Sequence, residues 1–300
     1  MAVEFESVSK RFWPHRTRAL RDLSFTLEPG EVLGLVGRNG AGKTTAIRIG
    51  VGVALPDTGA VRVDGHPLDR EKVAASRLLG WVPEESVHDP SARVDRLLRY
   101  YAELAGEVPR SRLEELLAVW GLAKYRRRRV RSLSLGMRRR LSIITSELTN
   151  PRYLLLDEVF NGLDPEAVVA VRDWVQSRRS AGCGLLLSSH NLRELATFAD
   201  RVAVVHEGRL LRILDRADLL ERPCRVVRVR IPSLDAAGAE LLARFGAVEL
   251  VPGGAVVRGE SIDVPSIAVE LVKAGIPLHG LAREDDGLEQ LFLELVRGAS

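Results

Sequence analysis

The octapeptide GRNGAGKT at residues 37–44 constrains this chain more than any other stretch, because of what flanks it. Upstream, VLGLV is a continuous apolar run that fits a strand buried on both faces, and downstream KTTAIRIG reads as a helix. Strand, glycine-rich turn and helix in that order make a phosphate cradle. The glycines let successive N–H groups turn inward, and the helix N-terminus adds partial positive charge. Gly37, Arg38, Asn39, Gly40, Ala41, Gly42, Lys43, Thr44 and Thr45 are therefore expected around a nucleotide's phosphates, with Lys43 on the terminal ones and the Thr44 hydroxyl on Mg²⁺.

A second buried strand ends differently. In YLLLDEVFNGLD, residues 153–164, three leucines run into two adjacent carboxylates. Mg²⁺ prefers oxygen ligands, so Asp157 is expected to hold it, directly or through a water. That leaves Glu158 for chemistry: phosphoryl transfer to water needs an in-line nucleophile, which a carboxylate can orient and deprotonate. The bland alternative is a solvated acidic turn.

Further strand-like runs alternate with helical spacing: VEFESVS, DLSFTL, AVRVDG, LGWVP, GLLLSS and RVAVVHEGRLLRIL. They predict a three-layer α/β domain through about residue 219. Residues 85–150 hold helical spacing without strands, as in RVDRLLRYYAELAG and PRSRLEELLAVWGL, and predict a helical insertion. After Glu221 the pattern becomes β-α-β-β-α-β, with VPGG as a hairpin signal, so residues 220–300 are expected to form a small ferredoxin-like α+β unit. The final DGLEQLFLELVRG sets Leu288, Leu291, Phe292 and Leu295 on one helical face.

Composition excludes little beyond disorder. The 300 residues are 46% apolar and 28% charged, an ordinary globular balance. No run approaches the roughly 20 apolar residues of a spanning helix, and MAVEFESVSKRF lacks a signal core, so a soluble cytosolic chain is expected. Cys183 and Cys224 lack metal-ligand spacing and are expected to be buried thiols. The net charge of +4 suits an acidic ligand or a membrane-proximal position, although arginine usage alone produces it. KYRRRRVR, residues 124–131, reads as a solvated face, with attraction to anionic headgroups as the second reading. Only Tyr125 interleaves it, so no nucleic acid is expected.

LSLGM at residues 133–137, followed by RRRLSIITSELTNPRYLLLDEVFNGLDP, resembles the signature helix, Walker B strand and D-loop of ATP-binding cassette (ABC) transporter ATPases. The resemblance in order and spacing runs along about 210 residues, and the ATPase domain is expected to span residues 1–219. It implies ATP and Mg²⁺, and two domains closing head to tail so that each ATP lies between one P-loop and the other signature. Ser134 and Gly136 match the signature positions that approach the γ-phosphate. Asn161, Gly162, Leu163 and Asp164 match the D-loop, with Asp164 expected near nucleotide. His190 matches the switch histidine that assists Glu158. Phe12 resembles the aromatic that stacks on adenine, with Trp13 as the competing choice.

Three departures stand out. Glu84 replaces the usual glutamine and is expected to be a weak Mg²⁺ ligand. Leu135 and Met137 replace glycine and glutamine in the signature. Val159 stands where proline usually follows the glutamate and is expected to loosen that turn. The C-terminal unit, including LEQLFLEL, resembles the accessory extension of drug-resistance and ABC-2-type exporter ATPases, and is expected to buttress an ATPase dimer. The implied role is an ATP-hydrolysing subunit at the cytoplasmic face of the cell membrane. It would power export through separate transmembrane permease subunits, paired with a second copy of itself or a homologous ATPase subunit. An importer ATPase and a soluble non-transport ABC ATPase are the alternatives.

Overall fold

In the computed structural model, which describes residues 1–13, 17–106, 108–220, 224–232, 234–285 and 288–298, the continuous apolar runs become the centre of one sheet. β3 (Val32–Val36), β7 (Tyr153–Leu156) and β8 (Gly184–Ser189) are buried at every position. With β6 (Leu79–Val82), β9 (Arg201–His206) and β10 (Arg209–Asp215) they form a six-stranded sheet, order β10-β9-β3-β8-β7-β6. All its neighbouring pairs are parallel except the β9–β10 hairpin. Parallel strands share one carboxyl edge, where α/β sheets place their ligands. The loops after β3, β6, β7 and β8 therefore emerge side by side, carrying Gly37, Glu84, Asp157 and His190.

The strands expected as part of a helix-covered sheet divide instead between two sheets. β1 (Val3–Phe12), β2 (Thr17–Leu27), β4 (Thr58–Val63) and β5 (His66–Pro67) form a separate antiparallel sheet, order β2-β1-β4-β5. The physical reason is one-sided burial: β1 and β2 alternate buried with exposed positions, whereas β3 does not. Phe5 stacks on Phe25 with ring centroids 4.3 Å apart, in a core shared with Leu33, Ile47, Leu155 and Leu186. One layer over the parallel sheet is thus itself a sheet, with the helix Lys43–Gly50 packed in the same core.

Between β6 and β7 the chain forms the helices Val94–Ala105, Arg110–Val119 and Leu135–Glu147. Trp120 packs edge-on against Trp174 of the helix Pro165–Ser180 at 5.7 Å. Glu147, at the end of its helix, is buried and ion-paired with Arg178 at 2.9 Å and Arg112 at 3.5 Å. Burial raises its carboxyl above the usual range, with Arg178 opposing.

The chain divides into two compact units, Met1–Asp215 and Arg216–Ser300. In the second, β11 (Cys224–Arg230), β12 (Ala247–Val251), β13 (Gly254–Ile262) and β14 (Gly280–Asp285) form an antiparallel sheet, order β12-β13-β11-β14. The helices Ala236–Ala243 and Val264–Lys273 start on capping side chains of Asp235 and Asp263. This is the ferredoxin-like order. Pro252 and Gly253 make the β12–β13 turn, with Gly253 at φ 79°. Leu288 and Leu291 of the last helix, Leu288–Gly298, are buried; Asp286 and Gly287 of the predicted segment lie outside the described residues. Both cysteines are buried free thiols, and burial pushes Cys183 up to about 11. Among the described residues no helix is long and apolar enough to cross a membrane.

Candidate functional site

The loop leaving β3 turns where side chains do not fit. A Cβ on Gly37 would lie 2.4 Å from the Val205 carbonyl oxygen, and one on Gly42, at φ 105°, would lie 2.4 Å from that of Ala19. Glycine is therefore a steric necessity at both ends of the turn. The Ala41 N–H donates to the Arg38 carbonyl at 3.0 Å, closing the loop on itself. No side chain caps the helix Lys43–Gly50, so its first N–H groups face the loop. Lys43 is buried and its Nζ donates to the Gly37 carbonyl at 2.8 Å. A cavity of about 580 Å³ opens beside Arg38, Asn39, Gly40 and Ala41, and His190, His206 and Glu207 complete its wall.

At the end of β7 the two carboxylates have separate partners. The Thr44 hydroxyl donates to Asp157 Oδ1 at 3.2 Å, and the Ser188 hydroxyl donates to the same atom at 2.7 Å. Glu158 Oε1 lies 3.3 Å from Lys43 Nζ, while Oε2 lies 3.1 Å from His190 Nδ1. Lys43 and Glu158 are each only 6% exposed, so solvent screens their pairing little. His190 is 53% exposed, at the mouth of the site. Asn191 holds the turn that follows: its side chain accepts from the Arg193 and Glu194 N–H groups and caps the helix Leu192–Ala196.

Glu158 has φ 45°, a left-handed conformation uncommon for a residue with a side chain. Val159 lies at the turn that was expected to be looser without proline. It is fully buried, and Phe160 beside it packs edge-on against Phe198 at 5.5 Å, so packing restrains the segment after Glu158.

The sequence reading missed two residues here. Arg139, buried in the helix Leu135–Glu147, donates to the Pro83 carbonyl, to the Glu84 carbonyl at 2.7 Å and, at 3.5 Å, to the Glu158 carbonyl. Its guanidinium ties the signature helix to the loops after β6 and β7. Burial pulls its pKa below the usual range, opposed by the charges of Glu84, Asp157 and Glu158. Ser188 is the other. Its signal was a hydroxyl directly after a run of leucines in a wholly buried strand, which demands a partner.

The remaining predicted residues stand apart from this cluster. Glu84 is exposed, and its carbonyl rather than its carboxylate is fixed, so the structure does not gather its side chain with Thr44 and Asp157. The Ser134 hydroxyl caps its helix, accepting from the Met137 N–H at 3.2 Å; the first intrahelical bond runs from the Arg138 N–H to the Ser134 carbonyl. The N–H groups of Leu135 and Gly136 therefore precede any intrahelical acceptor. Asp164 caps the helix Pro165–Ser180 by accepting from the Ala167 N–H at 2.8 Å. Thr45 lies in the first turn of the P-loop helix. Phe12 ends β1, half exposed, with Lys10 Nζ 5.6 Å from its ring centroid. Trp13, 74% exposed, lines a neighbouring cavity of about 740 Å³ with Arg11, Arg18 and Asp57.

A glycine loop feeding an uncapped helix, beside an acidic strand end on the carboxyl edge of a parallel sheet, defines a P-loop nucleoside triphosphatase. Comparison with known proteins narrows the class. A family profile described as ABC transporter matches residues 20–161. The uncharacterized ABC transporter ATP-binding protein YhcH of Bacillus subtilis is 31% identical over 98% of this chain and 95% of its own length. The daunorubicin resistance ATP-binding protein DrrA3 of Streptomyces coeruleorubidus is also 31% identical, again over 98% of this chain and 95% of its length. A solved structure of the ATP-binding subunit of an ABC transporter superposes with TM-score 0.67 at 27% identity, covering 73% of this chain and 91% of that one. The chain belongs to the ABC transporter ATP-binding proteins, a family of ATPases that bind ATP and work with permease partners.

Proposed function

We propose that this chain is the ATPase subunit of an exporter, with residues 1–219 as the catalytic domain and 220–300 as the accessory unit. The observation that carries the catalytic reading is the placement of Glu158, its carboxylate bridging Lys43 and His190 beside the Thr44–Asp157 pair. Lys43 and the loop Gly37–Gly42 bind the phosphates, as N–H donors and a buried cation suit them. Glu158 orients a water in line with the γ-phosphate and takes its proton, and His190 holds the carboxylate's aim. Thr44 and Asp157 offer two convergent oxygens, which would suit Mg²⁺ completed by phosphate oxygens and waters, whereas the exposed Glu84 carboxylate is not gathered with them. When bound, Mg²⁺ neutralises charge on the phosphates.

The exporter reading is supported by similarity along nearly the whole chain, accessory unit included, to a protein named for daunorubicin resistance. The partner's approach is supported by a groove of about 750 Å³ whose wall includes Val73, Val87, Tyr101 and Leu104; Val73 is 72% and Leu104 65% exposed. Such a groove suits an apolar segment of a transmembrane permease, which would hold this chain at the cytoplasmic face. A second copy would supply Ser134 and Gly136 to the first copy's ATP.

The test is Glu158→Gln. Turnover is expected to fall by about 10²–10⁴-fold, with ATP retained and a stable dimer on size exclusion. Hydrolysis at the original rate would refute the base assignment. Copurification of a permease with the full chain tests the transport role.

A further inference from the structure

Ser188 is 1% exposed and follows the buried run Leu185–Leu187. A hydroxyl in such a strand is costly unless it is hydrogen-bonded. Its partners are two consecutive residues of the neighbouring strand end. It donates to Asp157 Oδ1 at 2.7 Å and accepts from the Glu158 N–H at 2.9 Å. A hydroxyl has one proton, and the carboxylate takes it, so the amide must fall on the oxygen lone pair. The direction of both bonds is thereby fixed.

Ser188, in β8, and His190, in the bend that directly follows it, both face Glu158 on one side of the strand end. That side meets Glu158 twice, Ser188 at its amide and His190 at its carboxylate. Glu158 needs such support. Its φ of 45° persists only where the surroundings over-determine it. On its carbonyl side it receives the Asn161 N–H at 3.1 Å and Arg139 at 3.5 Å. On its amide side it has Ser188, which also orients the Asp157 carboxylate.

We propose that Ser188 is a positioning residue for ATP hydrolysis: its hydroxyl sets the turn between Asp157 and Glu158, and so the aim of the Glu158 carboxylate, without contacting nucleotide. This rests on reading Glu158 as the base. Removing the hydroxyl orphans a buried N–H and frees the peptide to rotate, while Lys43 and the Gly37–Gly42 loop keep their own contacts. The loss is therefore expected in kcat rather than in nucleotide affinity.

The test compares the purified wild-type chain with Ser188→Ala, Ser188→Thr and Glu158→Gln. It reads kcat and KM for ATP, Kd for a fluorescent nonhydrolysable ATP analogue, and Tm. Ser188→Ala is expected to lower kcat by about 10- to 100-fold, the scale of a misplaced catalytic group, with Kd within about twofold, and Ser188→Thr to recover most of it. The proposal is overturned if Ser188→Ala keeps wild-type kcat, if its kcat and affinity fall together, or if Ser188→Thr folds with wild-type Tm yet turns over no faster than Ser188→Ala. Wild-type turnover by Glu158→Gln would instead remove the base reading on which the proposal stands, whatever the serine variants do.

Discussion

The sheet edge and the signature turn are built on opposite plans. At the sheet edge Lys43, Thr44, Asp157, Glu158, Ser188 and His190 hold one another within a single chain. At the signature turn, Ser134 is exposed, Leu135 is 50% exposed, and the first N–H groups of the helix point away from its own acceptors. The sheet edge is thus finished by contacts within the chain, whereas the turn leaves N–H groups without an intrahelical acceptor. On the proposed reading, a base such as Glu158 needs the first arrangement because its aim tolerates little error, and a surface that engages a second copy would need the second because it must let go.

Mixing two dead variants tests that contrast most severely. Lys43→Ala removes the buried cation and Gly136→Asp sets negative charge on the signature turn; each alone is expected to lose at least about 10²-fold in turnover. If the two halves meet across copies, mixing restores about a quarter of the wild-type rate, since half the dimers are mixed and each has one intact site of two. No recovery would break the comparison.

His88 sharpens it through pH. It is buried beside a cavity of about 390 Å³ between the signature helix and the loop after β6, where Arg131, Arg138, Arg139, Glu84 and Glu85 also face. Its Nε2 lies 3.4 Å from the Ser142 hydroxyl, its ring meets Tyr101 edge-on at 5.6 Å, and burial pushes its pKa down to about 4. The unfolded chain binds this proton near 6.5 and the folded chain only near 4. Stability is therefore full above pH 6.5 and is lost as pH falls through that window. By pH 5 the loss is about 2 kcal/mol. Calorimetry at pH 7 and pH 5 is expected to show a smaller drop in Tm for His88→Asn than for wild type.

The smallest effect concerns the contact between the two turns. Gly162 has φ 70°, and a Cβ there would lie 2.5 Å from Leu135 Cδ2. Gly162→Ala is expected to cost about 1–2 kcal/mol from the left-handed backbone, plus the displacement of Leu135. Adding Leu135→Gly should recover the second part but not the first, and a double-mutant cycle in urea measures the coupling.

What the sequence made legible follows from range. The P-loop and the acidic strand end lie in short segments whose flanks carry their own periodicity, whereas His190 and Ser134 were legible only through the resemblance to the family's switch and signature. The antiparallel sheet was not legible, because it depends on Val3 pairing with both Leu27 and Val63, and alternation along β1 does not name its neighbours. Arg139 was hidden inside RRR at residues 138–140, where only the helix's orientation distinguishes the buried guanidinium from its two half-buried neighbours. Ser188 was hidden for a related reason: LLLSS announces burial without saying which neighbouring strand end will satisfy the hydroxyl.

The ion pairs at Glu147 have a mechanical consequence. They pin the far end of a 13-residue helix whose other end is the signature turn. At 1.5 Å per residue that is a lever about 20 Å long, so a swing of about 10° about the pinned acid carries Ser134 some 3.5 Å, roughly one hydrogen-bond length. Arg139, near the moving tip, would draw the Pro83 and Glu84 carbonyls along with it. A shift of that size at the tip then requires almost no displacement at the fulcrum.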